Sequence, residues 1–205
     1  YSSDSSYYSD DSYADSDFDD ASNVPLGVVV SKACTRMCEK SNTQVVTKIL
    51  HSLRDESENL ELNHGSLRSQ GAIALFEALE SAKSEIQAVV IRDNNIDAAA
   101  APYMANFINE STHISEIDVG NNQLGVFRRS LIGATVPLAR ALGSSGTLHS
   151  VVISNNNLMD NFFKEFFSSL CASNNKLLSL LDISHNKMSI KSAGALADFL
   201  ERSNG

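Results

Sequence analysis

The side chains most able to do chemistry in this sequence fall into a few small groups. Cys34 and Cys38 stand four residues apart, on one face if their segment is helical, and Cys171 is distant in sequence. A metal site would need more ligands nearby, and neither a histidine nor a second cysteine pair supplies them. Buried, reduced thiols of an intracellular protein are the expected state. Phe127, Arg128 and Arg129, inside the stretch GVFRRSLIGATVP at 125–137, set an aromatic anchor beside two cations, residue types that dominate interface energetics. Ser12 and Ser16 each precede an aspartate by three residues (Asp15 and Asp19), a context that acidophilic kinases favour. Asn109-Glu110-Ser111 spells a glycosylation sequon, which carries little weight without a secretory signal. There is no phosphate-binding glycine loop with its lysine, no nucleophile elbow, no HExxH and no paired-cysteine zinc pattern. The expectation is a protein without enzymatic activity, cofactor or metal.

The charge distribution narrows the partner. The chain of 205 residues carries a formal net charge of −9. Asp4, Asp10, Asp11, Asp15, Asp17, Asp19 and Asp20 crowd into residues 1–20 without a Lys or Arg, so the acidity belongs to the tail. No basic footprint for nucleic acid appears. No apolar run approaches the roughly 20 residues that cross a bilayer, so membrane insertion is not expected. Residues 1–24 read as a disordered Ser/Asp/Tyr segment, because so few aliphatic groups cannot offset the entropy of ordering. Residues 25–56 turn helical: Val46, Ile49, Leu50 and Leu53 share one face, with Asn42 and Thr43 as N-cap candidates.

What must position the rest is a repeat. The stretch VVISNNNLMD, 151–160, sets three asparagines after a β-branched run, where one would be ordinary turn punctuation. Leu148, Val151, Ile153, Asn156 and Leu158 fit a pattern that recurs as Ile86, Val89, Ile91, Asn94 and Ile96, then as Ile114, Ile117, Val119, Asn122 and Leu124. It recurs again as Leu178, Leu181, Ile183, Asn186 and Met188. A weaker first copy holds Leu60, Leu62 and Leu67, with Ser57 and Gly65 replacing the expected leucine and asparagine. The period is about 30 residues, in the range of solenoid repeats. Apolar pairs four apart follow each copy: Leu75 and Leu79, Met104 and Ile108, Phe166 and Leu170, Leu196 and Leu200. Each therefore predicts an amphipathic helix after its strand. In the third copy the pair is displaced to Leu138 and Leu142, which fits an insertion at 125–137.

This pattern resembles leucine-rich repeats, and the long repeat with a full helix is similar to the ribonuclease-inhibitor type. The resemblance covers residues 57–205. It implies an α/β solenoid of five repeats, with a parallel concave sheet and convex helices behind a helical N-terminal cap. Asn94, Asn122, Asn156 and Asn186 are then expected to form a ladder, each inward amide donating and accepting where the backbone bends out of a strand. The stretch LELNHGSLRSQG resembles intracellular repeat proteins reading L-x-L-x-H-x-x-L-x-x-x-G, several of which belong to cilia or the cytoskeleton. That implies a cytoplasmic, cytoskeletal or ciliary location. Tropomodulin's five-repeat actin-capping domain is similar in size. The GTPase-activating protein for Ran has this repeat type with a C-terminal acidic tail and a longer array, and no catalytic residue can be matched here. A ribonuclease-inhibitor function runs against the length and the few cysteines.

In such a horseshoe the residues alternating with the strand aliphatics face the concave side. These are Glu61, Val90, Asp118, Val152 and Asp182, then Asn63, Arg92, Gly120, Ser154 and Ser184, with Glu116 beside them. The loop column reads His64, Asp93, Asn121, Asn155 and His185. Carboxylates outnumber Arg92, so the expected function is a scaffold or adaptor for a protein partner, with a basic segment as one candidate, bound on the concave face or at the 125–137 insertion. Alternatives are a regulator of a small GTPase and a cytoskeleton-capping module. His64 and His185 sit in the first and last copies, too far apart to act together. Leu200 is followed almost at once by Gly205, so the last repeat is expected to be covered by further chain or by an associating partner.

Overall fold

A computed structural model describes residues 58–80, 85–126, 131, 133–173 and 175–203, together with Thr35. The acidic segment 1–24, the segment 25–56 with Cys34 and Cys38 (Thr35 apart), and Phe127, Arg128 and Arg129 of the insertion lie outside the described residues. So does the end at 204–205.

Among the described residues from 58 onward, five three-residue strands alternate with five α-helices. In chain order they are β1 (Asn59–Glu61), α1 (Arg68–Leu79), β2 (Ala88–Val90), α2 (Ala101–Glu110) and β3 (Glu116–Asp118), followed by α3 (Val136–Ser144), β4 (Ser150–Val152), α4 (Asp160–Ser173), β5 (Leu180–Asp182) and α5 (Ile190–Ser203). The strands pair in sequence order, all parallel. Each returning helix packs on the next one along, so sheet and helix layer advance together. This is the leucine-rich-repeat solenoid that the aliphatic period implies.

The apolar residues of the repeat are its core. Leu60, Val89, Ile117 and Val151 point from strand centres into the layer between sheet and helices and are fully buried, as are Ile91, Ile96, Leu124, Ile153 and Leu158. Helix α4 is buried on more than one side because it lies between α3 and α5. Its sequence DNFFKEFFSSL supplies four buried phenylalanines. Phe162 stacks on Phe166 and Phe163 on Phe167 at centroid distances of 6.1 and 6.2 Å, and Phe167 continues to Phe199 of α5 at 5.8 Å. Pro102 and Pro137 occupy the first turns of α2 and α3, where the missing N–H costs nothing and φ is already helical.

The strands are too short to hold the chain by ladder bonds alone, and the asparagines complete the work. Asn94 Oδ1 accepts from the N–H groups of Gly65 and Leu67 in the preceding turn (2.9 and 3.1 Å), while its Nδ2 donates to the carbonyls of Leu62 and Arg92. Asn122 takes the N–H groups of Asn94 and Ile96 and donates to Ile91, Val119 and Gly120. Asn156 accepts from Leu124 and donates to Val119, Ile153 and Ser154. Asn186 accepts from Asn156 and Leu158 and donates to Ile153, Ile183 and Ser184. Each amide thus satisfies its own turn and staples it to the turn before. Gly65 stands where an asparagine would be, and it receives a ladder bond instead of making one.

A second staple joins helix starts of adjacent repeats. Asp97 N–H donates to Ser69 Oγ, and Ser69 Oγ–H donates to Asp97 Oδ1 (2.8 and 2.6 Å). Three repeats on, the same offsets carry the residues in exchanged order. Asp160 accepts from Ser189 N–H and from the hydroxyls of Ser189 and Ser192, each within 2.8 Å. These bonds, the Ser189 hydroxyl foremost, lower the Asp160 pKa from 3.8 to about 2.

Two outcomes follow for stability. Asn156→Ala orphans buried carbonyls and an N–H, so the urea midpoint should correspond to a loss of roughly 1–3 kcal/mol; an unchanged midpoint would contradict the ladder's role. Because the Asp160 pKa is depressed on folding, its contribution is complete above pH 3.8 and is lost as pH falls through about 2. Asp160→Asn should therefore unfold along a flatter acid limb than the native chain over that window, followed by circular dichroism.

Candidate protein-binding surface

The parallel register lines up one side chain per strand across the concave sheet. Glu61, Val90, Asp118, Val152 and Asp182 are successive Cα partners, so they form one row. Strands lie about 4.8 Å apart. Carboxylates on alternate strands are therefore spaced by about 9–10 Å, with a valine between each pair. Beside this row runs another: Asn59, Ala88, Glu116, Ser150 and Leu180. Glu61 and Leu180 are exposed, Glu116 and Asp182 half-buried, and Asp118 and Val152 buried.

The next row, nearer the turns, holds Asn63, Arg92, Gly120, Ser154 and Ser184. It fixes the charges of the first. Asn63 Nδ2 donates to Glu61, and its Oδ1 accepts from the Arg92 N–H. Arg92 crosses to the next strand and donates from Nη1 to Asp118 Oδ2 at 2.7 Å; the other oxygen of Asp118 accepts from Gly120 N–H. Gly120 makes room for this bridge, since a Cβ there would lie 3.1 Å from both the Arg92 guanidinium carbon and Asp118 Oδ1. Ser184, through its hydroxyl and its backbone N–H, holds the Asp182 carboxyl below the usual carboxylate range.

The loop column has a backbone cause that side-chain chemistry alone does not suggest. His64, Asp93, Asn121, Asn155 and His185 all have φ between 51° and 56°, in the left-handed region. Asn, Asp and His are the non-glycine residues enriched there. Ser66, Asn95 and Asn157, one residue beyond the ladder position, are left-handed as well. The run Asn155-Asn156-Asn157 is thus one ladder amide between two left-handed residues. Some members of the column also touch: His64 Nδ1 lies 2.7 Å from Asp93 Oδ2, and Asn155 Nδ2 donates to Asn121 Oδ1. His64 and His185 are on the first and last strands' turns and share no site.

At the insertion, Gly125 begins the departure from the repeat. A Cβ there would sit 2.1 Å from the Asn157 carbonyl oxygen, so the close approach of these turns admits glycine only. Among the described residues no group of three or more His, Cys, Asp or Glu side chains could hold a metal ion. No described helix is long and apolar enough to cross a membrane.

No family model matches the chain, and no curated protein matches it in sequence. Among solved structures it is similar to the tropomodulin C-terminal domain of Caenorhabditis elegans. The two share 14% identity at a TM-score of 0.52, over 85% of this chain and 95% of that one. The fold is a leucine-rich-repeat domain. At that identity the likeness is one of architecture alone.

Sequence reasoning reaches the concave rows because they follow from period-two alternation. It misses the pairing of Arg92 with Asp118, which depends on a glycine one strand away, and the left-handed column, although the repeated Asn, Asp and His at one offset are its signal. The bridge can be measured. Arg92→Ala removes the charged partner of a nearly buried carboxylate and should cost roughly 1.5–3 kcal/mol. A double-mutant cycle with Asp118→Ala should return a coupling above about 0.5 kcal/mol; additive losses would mean that the pair contributes nothing.

Proposed function

We propose that the chain is a protein-interaction module whose concave sheet receives a partner segment carrying basic side chains. The observation that carries this reading is the register row in which Glu61, Asp118 and Asp182 alternate with Val90 and Val152. Asp118 is already neutralised by Arg92, which leaves Glu61, Asp182 and the neighbouring Glu116 to set the sign of the surface. Cations spaced about two strands apart, with aliphatic groups between them, complement this row in both charge and apolar contact. Rim charges of this kind govern encounter rate and salt dependence, while the buried contacts set the lifetime of the complex.

A cytoskeletal partner is the second reading, favoured by the likeness of fold to the tropomodulin C-terminal domain. Both readings share a test. Proteins captured from native extract by the full chain are compared with those captured by Glu61→Lys/Glu116→Lys/Asp182→Lys, at low and moderate salt, alongside co-sedimentation with actin filaments. The triple variant should retain its circular dichroism and lose specific partners by at least tenfold. Undiminished capture by the folded triple variant would remove the concave face from the account. Actin sedimenting with the native chain but not with the variant would join the two readings.

A further inference from the structure

Charge on the concave sheet alternates strand by strand. β1 presents Glu61, β3 presents Glu116 beside the bridged Asp118, and β5 presents Asp182, whereas β2 presents Ala88 and Val90 and β4 presents Ser150 and Val152. The uncharged strands form a low floor, with Val90 and Ser150 half-buried and Ala88 and Val152 buried. A partner that complements this face repeats its cations every second strand, about 9–10 Å, and places apolar groups midway between them. Three regular backbones can be compared. Along an extended segment, side chains of one face recur about every 6.8 Å, which fits neither one strand spacing nor two. A polyproline II segment recurs about every 9.3 Å but has no side chain of that face midway. Such segments are also held by aromatic-lined grooves, and neither row contains an aromatic residue. An α-helix rises about 10.5 Å in seven residues, and the residues three and four along lie on the same face at about 4.5 and 6 Å, over the floor strand. Its width of about 10–12 Å spans both rows, which lie about 6.8 Å apart along each strand. From Glu61 to Asp182 the sheet advances about 19 Å and two helical heptads about 21 Å, a difference that flexible lysine stems absorb.

We propose that the occupant of the concave face is an α-helix of a partner protein, laid across the strands. Its basic residues stand seven apart, over Glu61, Glu116 and Asp182, and aliphatic residues three and four further on lie over Val90 and Val152. This rests on the concave reading above and adds to it a backbone and a register. The segments of this sequence that precede β1 do not supply such a helix. Residues 1–20 hold seven aspartates and no Lys or Arg, and no two Lys or Arg residues within 25–56 stand seven apart.

The test uses the chain 1–205 and, as probe, a fluorescent peptide of about two and a half heptads. It carries lysine at every seventh position, leucine three and four residues after the first and second lysines, and alanine and glutamine elsewhere. Binding is followed by anisotropy, and the helicity of the peptide, marginal at this length in water, by circular dichroism. The expected result is saturable binding accompanied by a rise in peptide helicity. A peptide of the same composition with lysine at every fifth position, which scatters the cations around the helix, should bind at least tenfold more weakly. The folded variant Glu61→Lys/Glu116→Lys/Asp182→Lys should lose the heptad peptide by a similar factor. A lysine-alternating threonine and valine peptide that binds as tightly as the heptad peptide, and is lost with the triple variant, would keep the concave reading and overturn the helix. Heptad-peptide binding that the triple variant leaves unchanged would overturn both. No saturable binding of the heptad peptide, or binding without a gain in helicity, overturns the helix and leaves the concave reading to the capture experiment above.

Discussion

The structure depends on one interaction repeated four times: an inward asparagine amide that closes its own turn and holds the turn before it. A three-residue strand makes few ladder bonds, and the bend that follows it points N–H and C=O groups into a layer where water does not reach. A neutral amide is suited to that place because it offers donors and an acceptor together without the desolvation cost of a charge. Once the turns are fixed to one another, the strands have no freedom of register, and the aliphatic positions enclose a continuous core. The Ser69–Asp97 and Asp160–Ser189 pairs do the same for the helical layer, with a hydroxyl and a carboxylate exchanging sides between the two sites.

Register is also what turns a repetitive sequence into a particular surface. Because every strand contributes the same offsets, a difference of one residue between repeats becomes a difference in one column of the concave face. Valine at 90 and 152 against carboxylates at 61, 118 and 182 makes an alternating row, and glycine at 120 lets Arg92 lie across the sheet to Asp118. The last column ends on Asp182, whose carboxylate accepts from Ser184 N–H. The rigidity that the ladder imposes is therefore what gives these side chains fixed spacing, and fixed spacing is what a partner can recognise.

Much of this was legible in the residues themselves. The aliphatic–asparagine period of Val151, Ile153, Asn156 and Leu158 is a direct consequence of stacking, so the parallel sheet, the helix after each strand and the inward asparagines could be read before any coordinates. The displaced pair Leu138 and Leu142 marked the long interval in the third repeat, and both residues are buried in α3. What could not be read depends on contacts between repeats or on backbone angles. Arg92 meets Asp118 only because a neighbouring strand lacks a side chain at 120. Asn155 and Asn157 look like further ladder candidates until their left-handed φ values separate them from Asn156. The exposure of Met188, at a position that is buried as Leu158 one repeat earlier, follows from position in the stack and not from residue type.

The claim that the asparagine ladder holds the turns together is tested most directly by native-state hydrogen exchange across the N–H groups it receives. Those of Leu67, Ile96, Leu124 and Leu158 are bonded to ladder amides. If the ladder is the common constraint, Ile96, Leu124 and Leu158 should exchange only through an opening close in free energy to global unfolding. Their exchange at the rates of exposed loop amides, while the helices stay protected, would show that the turns open independently and that the helical layer, not the ladder, carries the fold.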